Sequence, residues 1–160
     1  MNRRWTTVAL LWLALASFAA PQHAAARAPA HCAPISETTV KNLFTTWSRA
    51  LLEHTPDKVV ALYAKDATLL PTVEVGPYMH DDIRKYFVHF LEKRPVATMD
   101  DHARVITLGC NVAYDIGLYS FELNGNPPTV RETVKARYTF IYKWDGREWK
   151  IAHHHSSKAP

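Results

Sequence analysis

Nine histidines are spread through the 160 residues, and three of them, His153, His154 and His155, stand in a row near the C-terminus. An imidazole changes charge near neutral pH, so it can serve as a general base, a metal ligand or a hydrogen-bonding group within a core. On a strand, alternation puts His153 and His155 on one face and His154 on the other. As metal ligands, His153 and His155 would need a third donor from far along the chain, such as His80, His89, His102 or a carboxylate, and no HExxH or helical His pair supplies one. No metal and no cofactor are therefore expected. As catalysts, His153 or His155 would be the base, paired with a carboxylate such as Asp115 or Glu132. As structural groups, the three would be hydrogen-bonded inside a sheet covered on both faces. Arg137 lies in a run of Ala, Tyr, Phe and Ile where an unpaired guanidinium is costly, so Glu122, Glu132 or a bound acid should neutralise it. Arg137 and His155, with His153 and Arg104 as further cations, form the candidate site for a small carboxylate or other anion. Tyr114 and Asp115 resemble an acid/base pair, but strand neighbours point to opposite faces and cannot act as a unit.

The elements that must position these groups follow from periodicity. Ser36 is a helix N-cap, and Val40, Leu43, Phe44, Trp47, Ala50 and Leu51 follow at helical spacing, giving an amphipathic helix that stops near His54. Thr55, Pro56 and Asp57 start a second, short helix carrying Val59, Val60, Leu62 and Tyr63. Residues 67–71 form a short strand, and a third helix runs from Asp81-Asp82 through Ile83, Tyr86, Phe87, Phe90 and Leu91 to end before Pro95. From residue 97 the period becomes two, with strands at 102–108, 112–123, 129–144 and 148–156 and turns at Asn124-Gly125 and Asp145-Gly146. The order α-α-β-α-β-β-β-β reads as α+β, with helices on one face of a curved antiparallel sheet. Tyr63, Tyr78, Tyr86, Phe87, Phe90 and Trp47 line its core or a mainly apolar pocket.

The composition, 48% hydrophobic and 21% charged, is that of one globular domain. Arg3 and Arg4 precede an uncharged stretch at 6–20, too short for the ~20 residues of a membrane span. Residues 1–26 read as a secretory signal peptide cleaved after Ala26, residues 27–35 as a flexible arm, and 36–160 as the domain. The expected location is periplasmic or secreted, with no membrane attachment after cleavage. Loss of Arg3 and Arg4 lowers the net charge from +4 to +2, which does not suggest a nucleic-acid binder. In an oxidising compartment Cys32 and Cys110 could form a disulfide; the alternative is a buried Cys110 and a free Cys32 on the arm.

The segments at 83–91 (IRKYFVHFL) and 136–142 (ARYTFIY), and above all 149–157 (WKIAHHHSS), resemble bacterial relatives of the calcium/calmodulin-dependent protein kinase II association domain, in the nuclear transport factor 2-like (SnoaL-like) superfamily. The resemblance covers 36–160 and implies a cone-shaped sheet wrapped around a long helix, commonly dimeric, with a pocket at the open end. In the animal kinase such a domain assembles the holoenzyme and carries no chemistry. No Gly-rich phosphate loop, His-Arg-Asp or Asp-Phe-Gly is present, so kinase activity is not implied. Where that domain has a basic residue before its terminal Ser, this chain has Ser156, so its anion pocket is not carried over intact. The expected function is an exported, self-associating domain that binds a small anionic or apolar ligand. The alternative is a cofactor-independent SnoaL-type cyclase or isomerase using a pocket His as base. A homodimer across the outer sheet faces is expected, because the alternating strand at 129–144 leaves two largely apolar faces and the helices cover only one.

Overall fold

The computed structural model describes residues 33–79 and 81–160, so the expected signal peptide, Cys32 and His80 lie outside the described residues. Helix α1 (Glu37–Leu52) begins where Ser36 predicts, the Ser36 side chain accepting from the Thr39 N–H at 3.1 Å. That bond satisfies one of the donors a helix start leaves open. Its buried stripe, Val40, Phe44, Trp47, Ala50 and Leu51, follows the spacing, with Leu43 half-buried at its edge. Pro56 opens the single-turn α2 (Pro56–Val60), whose Asp57 pairs with Arg84 of α3 (Asp81–Glu92) in an exposed ion pair. Such a pair contributes little, ~0–1 kcal/mol; the apolar contacts of Val59, Ile83 and Phe87 hold these helices in place.

Six strands form one sheet, β1 (Tyr63–Leu70), β2 (Tyr78–Met79), β3 (Val96–Thr107), β4 (Val112–Asn124), β5 (Arg131–Trp144) and β6 (Trp149–Lys158), in the order β2-β1-β6-β5-β4-β3. The last four are the expected antiparallel meander, and β1 joins parallel to β6. The structure adds the two-residue β2 and starts β1 and β3 earlier than the sequence suggests, at Tyr63 and Val96. Lys65 and Asp66 in β1, and Asp100 and Asp101 beside a register shift in β3, interrupt the period there, while pairing with long neighbours recruits the residues before them.

The core fills the concave side. Trp47 of α1 meets Phe140 at 5.3 Å between ring centroids, and Phe44 meets Tyr138 at 5.7 Å. Inward positions of β4 and β5 alternate with outward ones, Ala113, Asp115, Gly117, Tyr119 and Phe121 standing opposite Tyr142, Phe140, Tyr138, Ala136 and Val134 in turn. Burying each large apolar side chain stabilises the fold by ~1.5–3 kcal/mol. The helices and the concave face therefore make one continuous apolar interior in which any polar group must find a partner.

Candidate functional site

A β-bulge in β6 decides which histidine faces that interior. Ile151 stands opposite Tyr142, yet His153 stands opposite Ile141, so Ala152 is an extra residue and the alternation is reset. Ile151, His154 and Ser156 point inward, whereas His153 and His155 share the outer face with Thr139 and Ile141. His154 is 4% exposed, stacked on Phe140 at 4.1 Å and edge-on to Trp47 at 5.2 Å.

His154 sits in a chain of hydrogen bonds. Trp47 Nε1 donates to the Tyr63 hydroxyl at 3.2 Å, Tyr63 meets His154 Nδ1 at 2.8 Å, and His154 Nε2 meets the Tyr119 hydroxyl at 3.4 Å. The hydroxyls of Ser156 and Thr72 are bonded to one another and both stand beside that of Tyr119. An indole N–H only donates, so the Tyr63 oxygen accepts from it. A neutral imidazole has one N–H and one lone pair, so His154 donates to one of these two tyrosine hydroxyls and accepts from the other. Burial, with repulsion from His153 and His155, pushes His154 down to about 3, so it is neutral at pH 7. Burial also raises Tyr63 and Tyr119, which stay protonated.

This chain ends at a cavity of about 200 Å³. Tyr86 and Phe90 of α3, Phe121 and Leu123 of β4, Val134 of β5 and Pro71 form its apolar walls, half-buried Thr72 lies among them, and Glu74, Lys93 and Glu132 stand exposed at its rim. Glu74 also accepts from the Tyr78 hydroxyl at 3.0 Å. A larger, shallower cleft of about 360 Å³ adjoins it, formed by surface residues at the end of α3 and the β4–β5 turn.

The residues singled out from sequence lie elsewhere. Arg137 is exposed on the outer face and donates to the Lys158 carbonyl at 3.3 Å, so water solvates a guanidinium that was expected to be covered. Of the carboxylates expected to neutralise it, Glu122 accepts from Thr133 at 2.6 Å instead. His155 is exposed and diagonal to Arg137, since Thr139 pairs with His155 and Arg137 with Ser157. Arg104 is exposed at the far end of the row Arg104, Ile116, Thr139, His155, about three strand spacings of ~4.8 Å away. The structure brings Arg137 and His155 together, outside the cavity, and leaves Arg104 apart.

Tyr114 and Asp115 are split between the faces, as alternation requires. Asp115, fully buried, accepts from the Tyr138 hydroxyl at 3.1 Å. The signal for this pairing is Gly117, two residues on and facing inward, where a Cβ would stand 2.8 Å from that hydroxyl. Only a missing side chain lets the Tyr138 ring cross to Asp115. Among the described residues, no three His, Cys, Asp or Glu gather in a way that could hold a metal ion.

The model of the calcium/calmodulin-dependent protein kinase II association domain matches residues 36–160. A crystal structure described as such an association domain, from Xanthomonas campestris, is 38% identical over 81% of this chain and 94% of that one, with a TM-score of 0.72. A ketosteroid isomerase-like protein from Erwinia carotovora atroseptica superposes with a TM-score of 0.63 at 14% identity, over 77% of this chain and 96% of that one. A nuclear transport factor 2-like protein from Pseudomonas putida gives 0.64 at 19% identity, over 78% and 86%. The last two show a shared fold alone. No curated protein matches the chain.

Proposed function

Because the chain belongs to the calcium/calmodulin-dependent protein kinase II association domain family, we propose that it is an exported, self-associating domain without kinase activity, whose cavity binds a small molecule. One observation carries binding over chemistry: the cavity is open, yet the imidazole behind it is neutral and has both nitrogens engaged. A general base needs a free lone pair within reach of its substrate. His153 and His155, the bases of the cyclase or isomerase alternative, stand on the opposite face of the sheet.

Self-association is supported by that outer face. Ile106, Tyr114 and Ile141 make one cross-strand row, with Ile116 and Leu118 beside it and Leu118 44% exposed. An apolar sheet face of this kind calls for a cover. Arg137, His153 and His155 border the patch, so an anion held by them would sit at the edge of the interface.

Export rests on the basic and apolar order of residues 1–26. A Cys32–Cys110 bridge would tie the arm to the meander, supported by the Ala33 N–H donating to the Asn111 side chain at 2.8 Å, one residue beyond each cysteine. Closing that loop would stabilise by up to ~4 kcal/mol. Native mass spectrometry of the exported protein tests the whole reading. Expected are a chain beginning at Arg27, two hydrogens lighter than the dithiol, in a homodimer or larger homo-oligomer carrying a small molecule. A monomer with two thiols and turnover of a substrate in the cavity would overturn it.

A further inference from the structure

We infer that the cavity and the cleft beside it form one site for a small organic cation, an aromatic ring seated in the cavity with its ammonium at the mouth beside Glu132. This rests on the binding reading above and names its ligand class. Lys93, Leu123 and Glu132 line both spaces, so they make the sill between an apolar cavity of about 200 Å³ and a polar cleft of about 360 Å³. A molecule that crosses this sill has a hydrocarbon end and a polar end. The cavity exceeds the ~150 Å³ that accommodates benzene, so the hydrocarbon end is one ring. Phe90, stacked on Tyr86 at 5.4 Å and met edge-on by Phe121 at 5.5 Å, gives that ring an aromatic wall. Aromatic faces carry negative potential, which favours a cation beside them and disfavours an anion.

Charge decides the polar end. Glu74, Glu92 and Glu132 line the two spaces against a single ammonium, Lys93, although the whole chain carries a net charge of +4. The mouth is thus opposite in sign to the molecule, and such a cleft concentrates ions of the opposite charge. Arg131, the cation next to Glu132 in sequence, is turned to the other face of β5 by alternation and donates to the Asn124 side chain and to the Glu122 and Arg94 carbonyls. Glu74 accepts from Tyr78. Among the described residues no Lys, Arg or His pairs with Glu132. Its carboxylate lies over Gly125, where a Cβ would stand 2.6 Å from Oε1, and Gly125 itself lines the cleft. Bare backbone at the turn therefore leaves this carboxylate room at the sill. An ammonium beside it keeps water on its cleft side while the ring leaves water for the cavity.

The test uses ethylbenzene, phenethylamine and phenylacetate, one ring with a neutral, cationic or anionic tail. Each is titrated into the purified protein at neutral pH and followed by chemical shifts of the Leu123 and Val134 methyls. At ~0.01 M ionic strength phenethylamine is expected to bind about tenfold more tightly than ethylbenzene, and phenylacetate not to saturate. Most of that advantage should vanish at ~1 M, where charges are screened within ~3 Å. Glu132 is exposed, so Glu132→Gln leaves the fold intact. It should bring phenethylamine to within about twofold of ethylbenzene and leave ethylbenzene unchanged. Equal affinity of phenethylamine and ethylbenzene in the parent would overturn the cation class and leave the cavity reading standing. Tighter binding of phenylacetate would overturn it as well and give the mouth to Lys93. An amine preference that survives Glu132→Gln would overturn the placing of the ammonium at that carboxylate. Binding of none of the three would overturn both readings.

Discussion

At the scale of the residue, His154 ties stability to pH. The native imidazole takes up a proton only near pH 3, while in the unfolded chain it does so near ~6.5. Below ~6.5 the unfolded state therefore binds a proton that the native state refuses, and stability falls as pH drops from there toward 3, by up to ~1.4 kcal/mol per pH unit. Above ~6.5 both states are neutral and the contribution is flat. His153, lowered by burial and by His155, adds a smaller slope of the same sign. Urea denaturation between pH 4 and 8 of the parent and of His154→Gln checks this. The variant should lose ~2 kcal/mol at pH 8, where two hydroxyls lose a well-placed partner, and most of the slope below ~6.5. A variant that keeps the parent's slope would place the titrating group elsewhere.

At the scale of the element, close approach governs β4. A Cβ at Gly117 would stand 2.1 Å from the Asp101 carbonyl, a backbone atom in β3 that cannot swing aside. Gly117→Ala should cost ~3 kcal/mol or more, by prising β3 from β4 or expelling the Tyr138 ring. At Gly125 the nearest atom, at 2.6 Å, is the end of the flexible Glu132 side chain, so Gly125→Ala should cost below ~1 kcal/mol. Melting temperatures of the two variants give the comparison directly. The same two strands show how far the sequence could be read. The helices, the meander and the inward aromatics of β4 and β5 were legible because each carries an unbroken period. Arg137 was legible as outward by its alternation with Ala136 and Tyr138; what misled was the assumption that its face is covered. The site in β6 was not legible, because a bulge leaves no mark in WKIAHHHSS, and one extra residue moves His154 inward in place of His153 and His155. The cavity escaped for a related reason. Thr72, Phe121 and Val134 come from three distant segments with no common motif, and only the curvature of the sheet assembles them.

At the scale of the whole molecule, the two surfaces to which function is assigned lie on opposite sides of one sheet. The cavity is walled by α3 and the concave face; the apolar rows of Ile106, Tyr114, Ile116 and Ile141 lie on the convex face. Ile116 is half-buried by its neighbours Arg104 and Thr139, and a second copy laid on this face would bury it fully. A stable dimer needs roughly 800 Å² per partner, which spans several such rows and brings Arg104 and Arg137 of each copy near those of the other. Ile116→Lys would add a further cation to that meeting of like charges. On an isolated chain the ammonium simply reaches water, at a cost within ~0.5 kcal/mol. The substitution is therefore expected to convert the assembly to monomers in sedimentation velocity at micromolar concentration while the monomer's intrinsic fold persists. A small apolar probe such as ethylbenzene should occupy the cavity of the Ile116→Lys chain as it does that of the parent, because the residues that line it face the concave side. An assembly unchanged by Ile116→Lys would move the interface off the sheet. Loss of probe binding together with assembly would mean that the partner subunit shapes the cavity, so that the two sides of the sheet work as one site.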